Sequence, residues 1–338
     1  MTTSLVVQTS FLGDMVLTTP LLAYLARSGP VDVVSTKAGM VLLANNPAVR
    51  EILVYDKRAT DSGVRGFARL ASALRRRQYD SAYHAQGSLR SGALTFAAGV
   101  RDRVGFSSSS GRPFYTTRIP PIDNTHHAAR LLSLGTRDPL RQVSNAEIRP
   151  RLYPSIIERA QVDVVLGPAA AGAPLIALAP GSVWATKRWP YFPDLARDLI
   201  AQTDAQIVVV GGEADRALAL EIVGATKGQA IDATGRLSLL ASADLIGRSA
   251  VLVTNDSSPL HLASAMNTPT VAVFGPTVPE FGFGPLAERA VVVGHTELTC
   301  RPCDRHGPQR CPLEHWRCMR EMTPDLVMGA VRGLLRDV

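Results

Sequence analysis

Short β-branched and apolar runs alternate along the chain with segments of helical periodicity, a pattern that a parallel, doubly wound sheet satisfies and few other folds do. Residues 4–9, 31–35, 52–55 and 79–85 read as strands. Between them fall a helix carrying Val16, Leu17, Leu21, Leu22 and Leu25, a second running through Leu42, and a third over 64–77. The pattern blurs over 107–155, where Pro120-Pro121 and the pair His126-His127 occur, and resumes after an Ala/Gly/Pro-rich stretch at 166–175. The second series has strands at 175–179, 206–210, 230–232, 251–254, 270–274 and 291–293, with helices at 192–202, 214–226, 237–247 and 259–266. With 338 residues, two such series predict two Rossmann-like domains, 1–160 and 161–338, each long enough to bury its own core. Ligands of open α/β sheets bind outside the carboxyl ends of the strands, so the expected site is a cleft between the domains.

Composition removes several alternatives. Hydrophobic residues make up 46% and charged residues 19%, which excludes a disordered chain. The longest uncharged stretch, 164–186, is broken by Pro168, Pro174 and Pro180, and it reads as a loop and a strand rather than a membrane span. The N-terminus lacks a basic n-region and Asp14 falls where a signal peptide needs its apolar core, so a cytoplasmic protein is expected. Neither GxGxxG nor GxxxxGK[ST] is present, so dinucleotide oxidoreductases and P-loop NTPases lose their main support.

Charge is unevenly placed. Residues 1–160 hold 21 Lys and Arg against 11 Asp and Glu, and the remainder hold 15 against 18. An anionic partner for the first half follows, although an arginine-biased coding sequence would give the same count.

Three segments carry candidate chemistry. In 254–265, TNDSSPLHLASA, a strand ends and a helix begins near Pro259; free N–H groups there, with Asp256, Ser257, Ser258 and His261, suit a diphosphate, and an ordinary capped crossover helix fits the same residues. In 179–190, APGSVWATKRWP, the Gly181-Ser182 turn and Lys187-Arg188 supply N–H donors and positive charge. Asp14 follows the first strand on a glycine turn, placed either as a helix cap or as a general base towards a hydroxyl.

Taken in order, SFLGDMVLTTP, YDSAYHAQGSLRSG, RVGF, APGSVWATKRWP, VVVGGEAD and TNDSSPLHLASAM resemble glycosyltransferase family 9, the heptosyltransferases of lipopolysaccharide core synthesis, nearest the heptosyltransferase II type. The resemblance spans nearly the whole chain. It implies a GT-B fold with an acceptor domain, a nucleotide-sugar domain and a final helix, 324–335, packing back on the first domain. It implies inverting transfer of heptose from an ADP-activated donor to a membrane-linked, anionic lipopolysaccharide-core acceptor, by a protein held peripherally at the inner face of the cytoplasmic membrane. Asp14 would then be the base, with Lys187 and Ser182 on the departing diphosphate. Asp256, Ser257, Ser258 and His261 would line the donor, and Glu213 the nucleoside. Gly13, Gln86 and Arg90 are assigned to the acceptor side. Ser258 stands where the family's donor loop has glycine. No DxD motif is present, and no cofactor is expected for catalysis: a lysine and a helix N-terminus can stabilise a leaving diphosphate.

Cys300, Cys303, Cys311 and Cys318 are the only cysteines, and they match the ligand count of a structural zinc site, although reduced thiols or one oxidised pair fit too. Two other functions remain open on sequence: a basic nucleic-acid-binding protein, which no motif supports and for which no nucleic-acid partner is expected, and a GT-B nucleotide-sugar epimerase, which would need neither acceptor nor Asp14.

Overall fold

The computed structural model describes residues 1–56, 61–167 and 172–336, and the chain divides into two compact units, residues 1–153 and 154 onward. In the first unit β1 (Ser4–Gln8), β2 (Val31–Ser35), β3 (Glu51–Val54), β4 (Ser81–His84), β5 (Asp102–Phe106) and β6 (Thr117–Ile119) form one parallel sheet in the order β3-β2-β1-β4-β5-β6. Helices α1 (Leu12–Leu25), α2 (Lys37–Leu43), α3 (Gly63–Arg77), α4 (Leu89–Ala97), α5 (His127–Thr136) and α6 (Asn145–Ile148) complete it. Every residue of β1, β2 and β4 is buried, as expected for strands covered on both faces.

Helix α1 shows how local chemistry permits an unfavourable residue. Pro20 lies inside it and has no N–H to give the carbonyl of Val16. Thr19 Oγ1 donates to that carbonyl at 2.9 Å, so the buried acceptor is satisfied and the helix continues.

The second unit begins with α7 (Ile156–Leu166), followed by β7 (Leu175–Ala179), α8 (Phe192–Gln202), β8 (Gln206–Val209), α9 (Arg216–Ala225), β9 (Ile231–Asp232), α10 (Leu239–Arg248), β10 (Val251–Asn255), α11 (Ser258–Met266), β11 (Thr270–Phe274), β12 (Ala290–Gly294), α12 (Arg317–Arg320) and α13 (Pro324–Arg336). Its parallel sheet runs β12-β11-β10-β7-β8-β9, the same winding as the first. In each sheet the chain works outward from a central strand and then restarts on that strand's other side. The turning points lie between β1 and β4 and between β7 and β10, where the loops at the carboxyl ends diverge and open a crevice.

The structure departs from the sequence expectations at the domain boundary. The division falls at Tyr153/Pro154 rather than 160/161, because α7 packs on α10: Val162 is buried, and Arg248 pairs with Asp163 at 2.5 Å. A Ser155–Glu158 capping box starts that helix, a signal present in the sequence but passed over there. The Ala/Gly/Pro-rich stretch, 166–175, lies partly outside the described residues. The final helix buries Val327, Met328, Val331 and Leu334 in the core of the second unit with Trp189 and Phe192. At 1.5–3 kcal/mol for each such side chain, on the order of magnitude of area burial, that face sets the helix's position.

A buried histidine gives the fold a pH dependence. His84 in β4 donates from Nδ1 to the carbonyl of Val104 at 2.9 Å and meets Thr95 Oγ1 through Nε2 at 2.9 Å, while burial lowers its pKa to about 4. A histidine pKa depressed by folding favours the native state at neutral pH, and that contribution is lost as pH falls from the unfolded value through the folded one. Urea unfolding is expected to show about 3 kcal/mol lost through this group between pH 6.5 and pH 4, with the dependence flattened in His84→Gln.

Candidate functional site

In the first unit the candidates gather around its turning point. Phe11 is the N-cap of α1 and makes no side-chain cap, so Asp14 lies in the first turn and is not the cap. Asp14 Oδ2 accepts from Ser10 Oγ at 2.7 Å, Ser10 Oγ also lies 2.7 Å from Gln8 Oε1, and fully buried Gln8 donates to Thr18 Oγ1 at 3.1 Å. Across the crevice Thr9 Oγ1 donates to Gln86 Oε1 at 3.2 Å, joining the β1 loop to the β4 loop. Gly13 is buried in the first turn of α1. His127, the first residue of α5, places Nε2 3.7 Å from Asp14 Oδ1, with about a fifth of each side chain exposed. In the sequence His127 stands only as half of a histidine pair, with no motif to give it a role. Its distance along the chain hides the approach, which follows from α5 packing on α1.

Arg90, near the start of α4, is held by aromatic and backbone contacts. Its guanidinium lies over the rings of Tyr55 at 5.4 Å and Phe67 at 5.8 Å and donates to the carbonyl of Gly63 at 3.2 Å. Those contacts tie the start of α4 to Tyr55 after β3 and to Gly63 and Phe67 of α3.

In the second unit the β7 and β10 loops meet at the other turning point. Asn255, at the end of β10, donates from Nδ2 to the carbonyl of Pro180 at 2.8 Å and accepts from the N–H of Trp189 at 3.1 Å, so one buried amide ties both ends of the β7 loop. It was quoted within a motif and missed as a site residue. This tie brings Lys187 Nζ to 2.6 Å from Asp256 Oδ2, and Thr277 Oγ1 donates to the same oxygen at 2.6 Å. Both charged side chains are 10% exposed, so the pair is desolvated and each member depends on the other. Ser182 is buried, and its hydroxyl accepts from the N–H of Trp184 at 3.3 Å. Ser257 is the N-cap of α11 and makes no side-chain cap, Ser258 opens the helix, and His261, one turn in, is buried with its ring 6.2 Å from Phe283. A half-exposed pair of hydroxyls at the N-terminus of a nine-residue helix, beside a cation already in place, suits a phosphate. Glu213 stands apart after β8, largely exposed and 3.6 Å from Arg216.

Comparison with known proteins fits this geometry. The family model "Glycosyltransferase family 9 (heptosyltransferase)" matches residues 67–316. The chain belongs to glycosyltransferase family 9. It is 29% identical to lipopolysaccharide heptosyltransferase 1 of Pseudomonas aeruginosa, over 98% of this chain and 97% of that one, and 28% identical to lipooligosaccharide heptosyltransferase 2 of Haemophilus influenzae, over 98% and 99%. The solved structure of Escherichia coli ADP-heptose lipopolysaccharide heptosyltransferase II superposes with a TM-score of 0.80 at 24% identity, covering 100% of this chain and 99% of that one, and it shares the fold. The protein is a glycosyltransferase of GT-B architecture.

In this family 9 chain the cysteine-bearing segment buttresses the Lys187 loop. Gln309 accepts from the N–H of Ala185 at 3.1 Å and donates to the carbonyl of Val183 at 3.0 Å, Thr186 Oγ1 donates to the carbonyl of Pro308, and Trp184 stacks on His306. Gly307, at φ +85°, lies against Lys187, where an added Cβ would come within 3.2 Å of Cε. Any other residue there would strain the backbone and press on the lysine.

The zinc reading of the cysteines is not supported. Among the described residues no three His, Cys, Asp or Glu side chains are grouped so as to hold a metal ion. Cys318 sits in the apolar core, where burial pushes its thiol up to about 11, Cys303 Sγ donates to the carbonyl of Cys300 at 3.2 Å, and all four sulfurs are free of disulfides.

Proposed function

We propose that this glycosyltransferase moves heptose from an ADP-activated donor to the inner core of a lipopolysaccharide acceptor, with inversion at the anomeric carbon. Both the curated relatives and the superposed structure carry the heptosyltransferase name, and the latter's names ADP-heptose. Asp14 takes the proton of the acceptor hydroxyl as its oxygen forms the new bond to the anomeric carbon. Ser10 and His127 hold the carboxylate for that task. The bond to the diphosphate breaks as the new one forms, and ADP leaves with its charge met by Lys187 and the first turn of α11. Ser182, Ser257, Ser258 and His261 line the donor, Gly13 and Gln86 the acceptor side, and exposed Glu213 the nucleoside. Arg90 stands on the acceptor side with them.

No described helix is long and apolar enough to cross a membrane. We place the enzyme at the inner face of the cytoplasmic membrane, peripherally, where a lipid-linked acceptor is presented. The observation that carries the transferase proposal is the buried Lys187–Asp256 pair beside the N-terminus of α11, a fixed cation where a departing diphosphate needs one.

The test supplies ADP-heptose and heptose-free lipopolysaccharide core and follows ADP release. Turnover that needs both substrates, with a β- or α-configured product opposite to the donor's anomer, is expected. Release of ADP without acceptor, or retention of configuration, overturns the proposal.

A further inference from the structure

Helix α4 is turned the unexpected way round. Its buried face carries Ser91 and Thr95 as well as Leu94, and the two hydroxyls bond to the carbonyl of Gln86 and to His84. Its outward face carries Leu89, Ala93, Phe96 and Ala97, spaced at i, i+4, i+7 and i+8 and hence in one stripe. Leu89 is 56% exposed and Phe96 58%, so the two largest apolar groups of that face meet water. Single exposed apolar residues are ordinary, but an aligned stripe on a short helix is an interaction surface.

The frame of this stripe is cationic. Arg103 places its guanidinium 5.4 Å from the Phe96 ring, and Phe96 meets Phe114 at 5.6 Å, in the turn that opens with Arg112. Arg75 reaches from α3 to Gly99, two residues beyond the helix end, and exposed Arg101 follows. Arg103 donates to the carbonyls of Val100, Arg101 and Phe114 and is fixed in place, whereas among the described residues Arg75, Arg101 and Arg112 pair with no carboxylate, although their neighbours Arg69, Arg77 and Arg137 all do. Unpaired cations beside an exposed apolar stripe complement a surface that is negative outside and apolar within. Stacked nucleic-acid bases would use Phe96, but Leu89 and Ala97 offer no ring for them.

We propose that α4 and its arginine frame are the face that rests on an anionic lipid bilayer, with Phe96 and Leu89 entering the headgroup layer, Arg75, Arg101 and Arg112 meeting lipid phosphates, and Arg103 steadying Phe96. This deepens, and rests on, the peripheral placement proposed above. It also gives a reason for the positive charge of the first half.

Sedimentation with vesicles tests it, using the full chain, phosphatidylethanolamine–phosphatidylglycerol vesicles and phosphatidylcholine vesicles. The native protein is expected to bind the anionic vesicles, less at higher salt, and to leave phosphatidylcholine alone. Phe96→Ser, and separately the pair Arg101→Glu and Arg112→Glu, are each expected to weaken binding by about tenfold or more with an unchanged thermal midpoint. ADP release on a water-soluble, delipidated acceptor is expected to be the same in all of them. No binding by the native protein, equal binding to both lipids, or binding retained by both variants overturns the proposal. Equal loss of binding to a single-stranded RNA oligomer, with vesicle binding intact, reassigns the face to nucleic acid and overturns it too. Vesicle binding is read without turnover, so a failure of the transferase assay and a failure of docking are separate results.

Discussion

Asp14→Ala is expected to slow ADP release by about a thousandfold, the middle of the range for losing a positioned general base. The fall should appear in kcat, because the carboxylate touches the reacting hydroxyl and contributes little to holding either substrate. Asp14→Asn keeps the shape and the contact with Ser10 but cannot accept the proton, so it should be as slow. His127→Asn probes the neighbour. It leaves the base in place and disturbs only its orientation, so a loss of about tenfold in kcat with KM unchanged is expected. Initial rates with ADP-heptose and soluble core acceptor check all three. If Asp14 serves only the start of α1, the variants keep native rates and differ in thermal midpoint alone.

Lys187→Ala should have two separable effects. Removing one member of a buried pair strands the other, and Asp256, with 10% of its side chain exposed, then lacks its cation; urea unfolding should show about 3–5 kcal/mol lost. Thr277 still donates to Asp256 and softens that loss without removing it. The rate should fall by about a hundredfold or more, as for losing one preorganised partner of the leaving group. Adding Asp256→Ala removes the stranded charge, so the double variant should regain much of the stability and none of the rate. Should the double variant recover both, Lys187 is a structural cation and has no part in the chemistry.

The two predictions rest on unequal amounts of sequence information. The strand-turn-helix order that places Asp14, Lys187 and Asp256 near the carboxyl ends of strands was readable from periodicity, because a strand buried on both faces and a helix with one apolar stripe leave different signatures. Helix α3 was read at 64–77 and found at Gly63–Arg77; α8 was found where it was read, over Phe192–Gln202. Helix α7 was missed, since its outward residues Ile156, Ile157 and Val164 are apolar and blur the stripe that reveals a surface helix.

The order of motifs and the residue types within them were properties of the sequence by itself: it specified two wound sheets, the family, and a carboxylate and a lysine in suitable loops. Who meets whom was decided by tertiary structure. That Lys187 pairs with Asp256, that Asn255 ties the β7 loop at both ends, that His127 arrives beside Asp14, and that the cysteine segment supports the Lys187 loop all depend on which strands become neighbours. Periodicity reports which face of an element is buried, and it does so within one element. A buried ion pair or a side-chain hydrogen bond forms between elements, and its energy exists only after crossover order and packing have brought the two groups within a few ångströms.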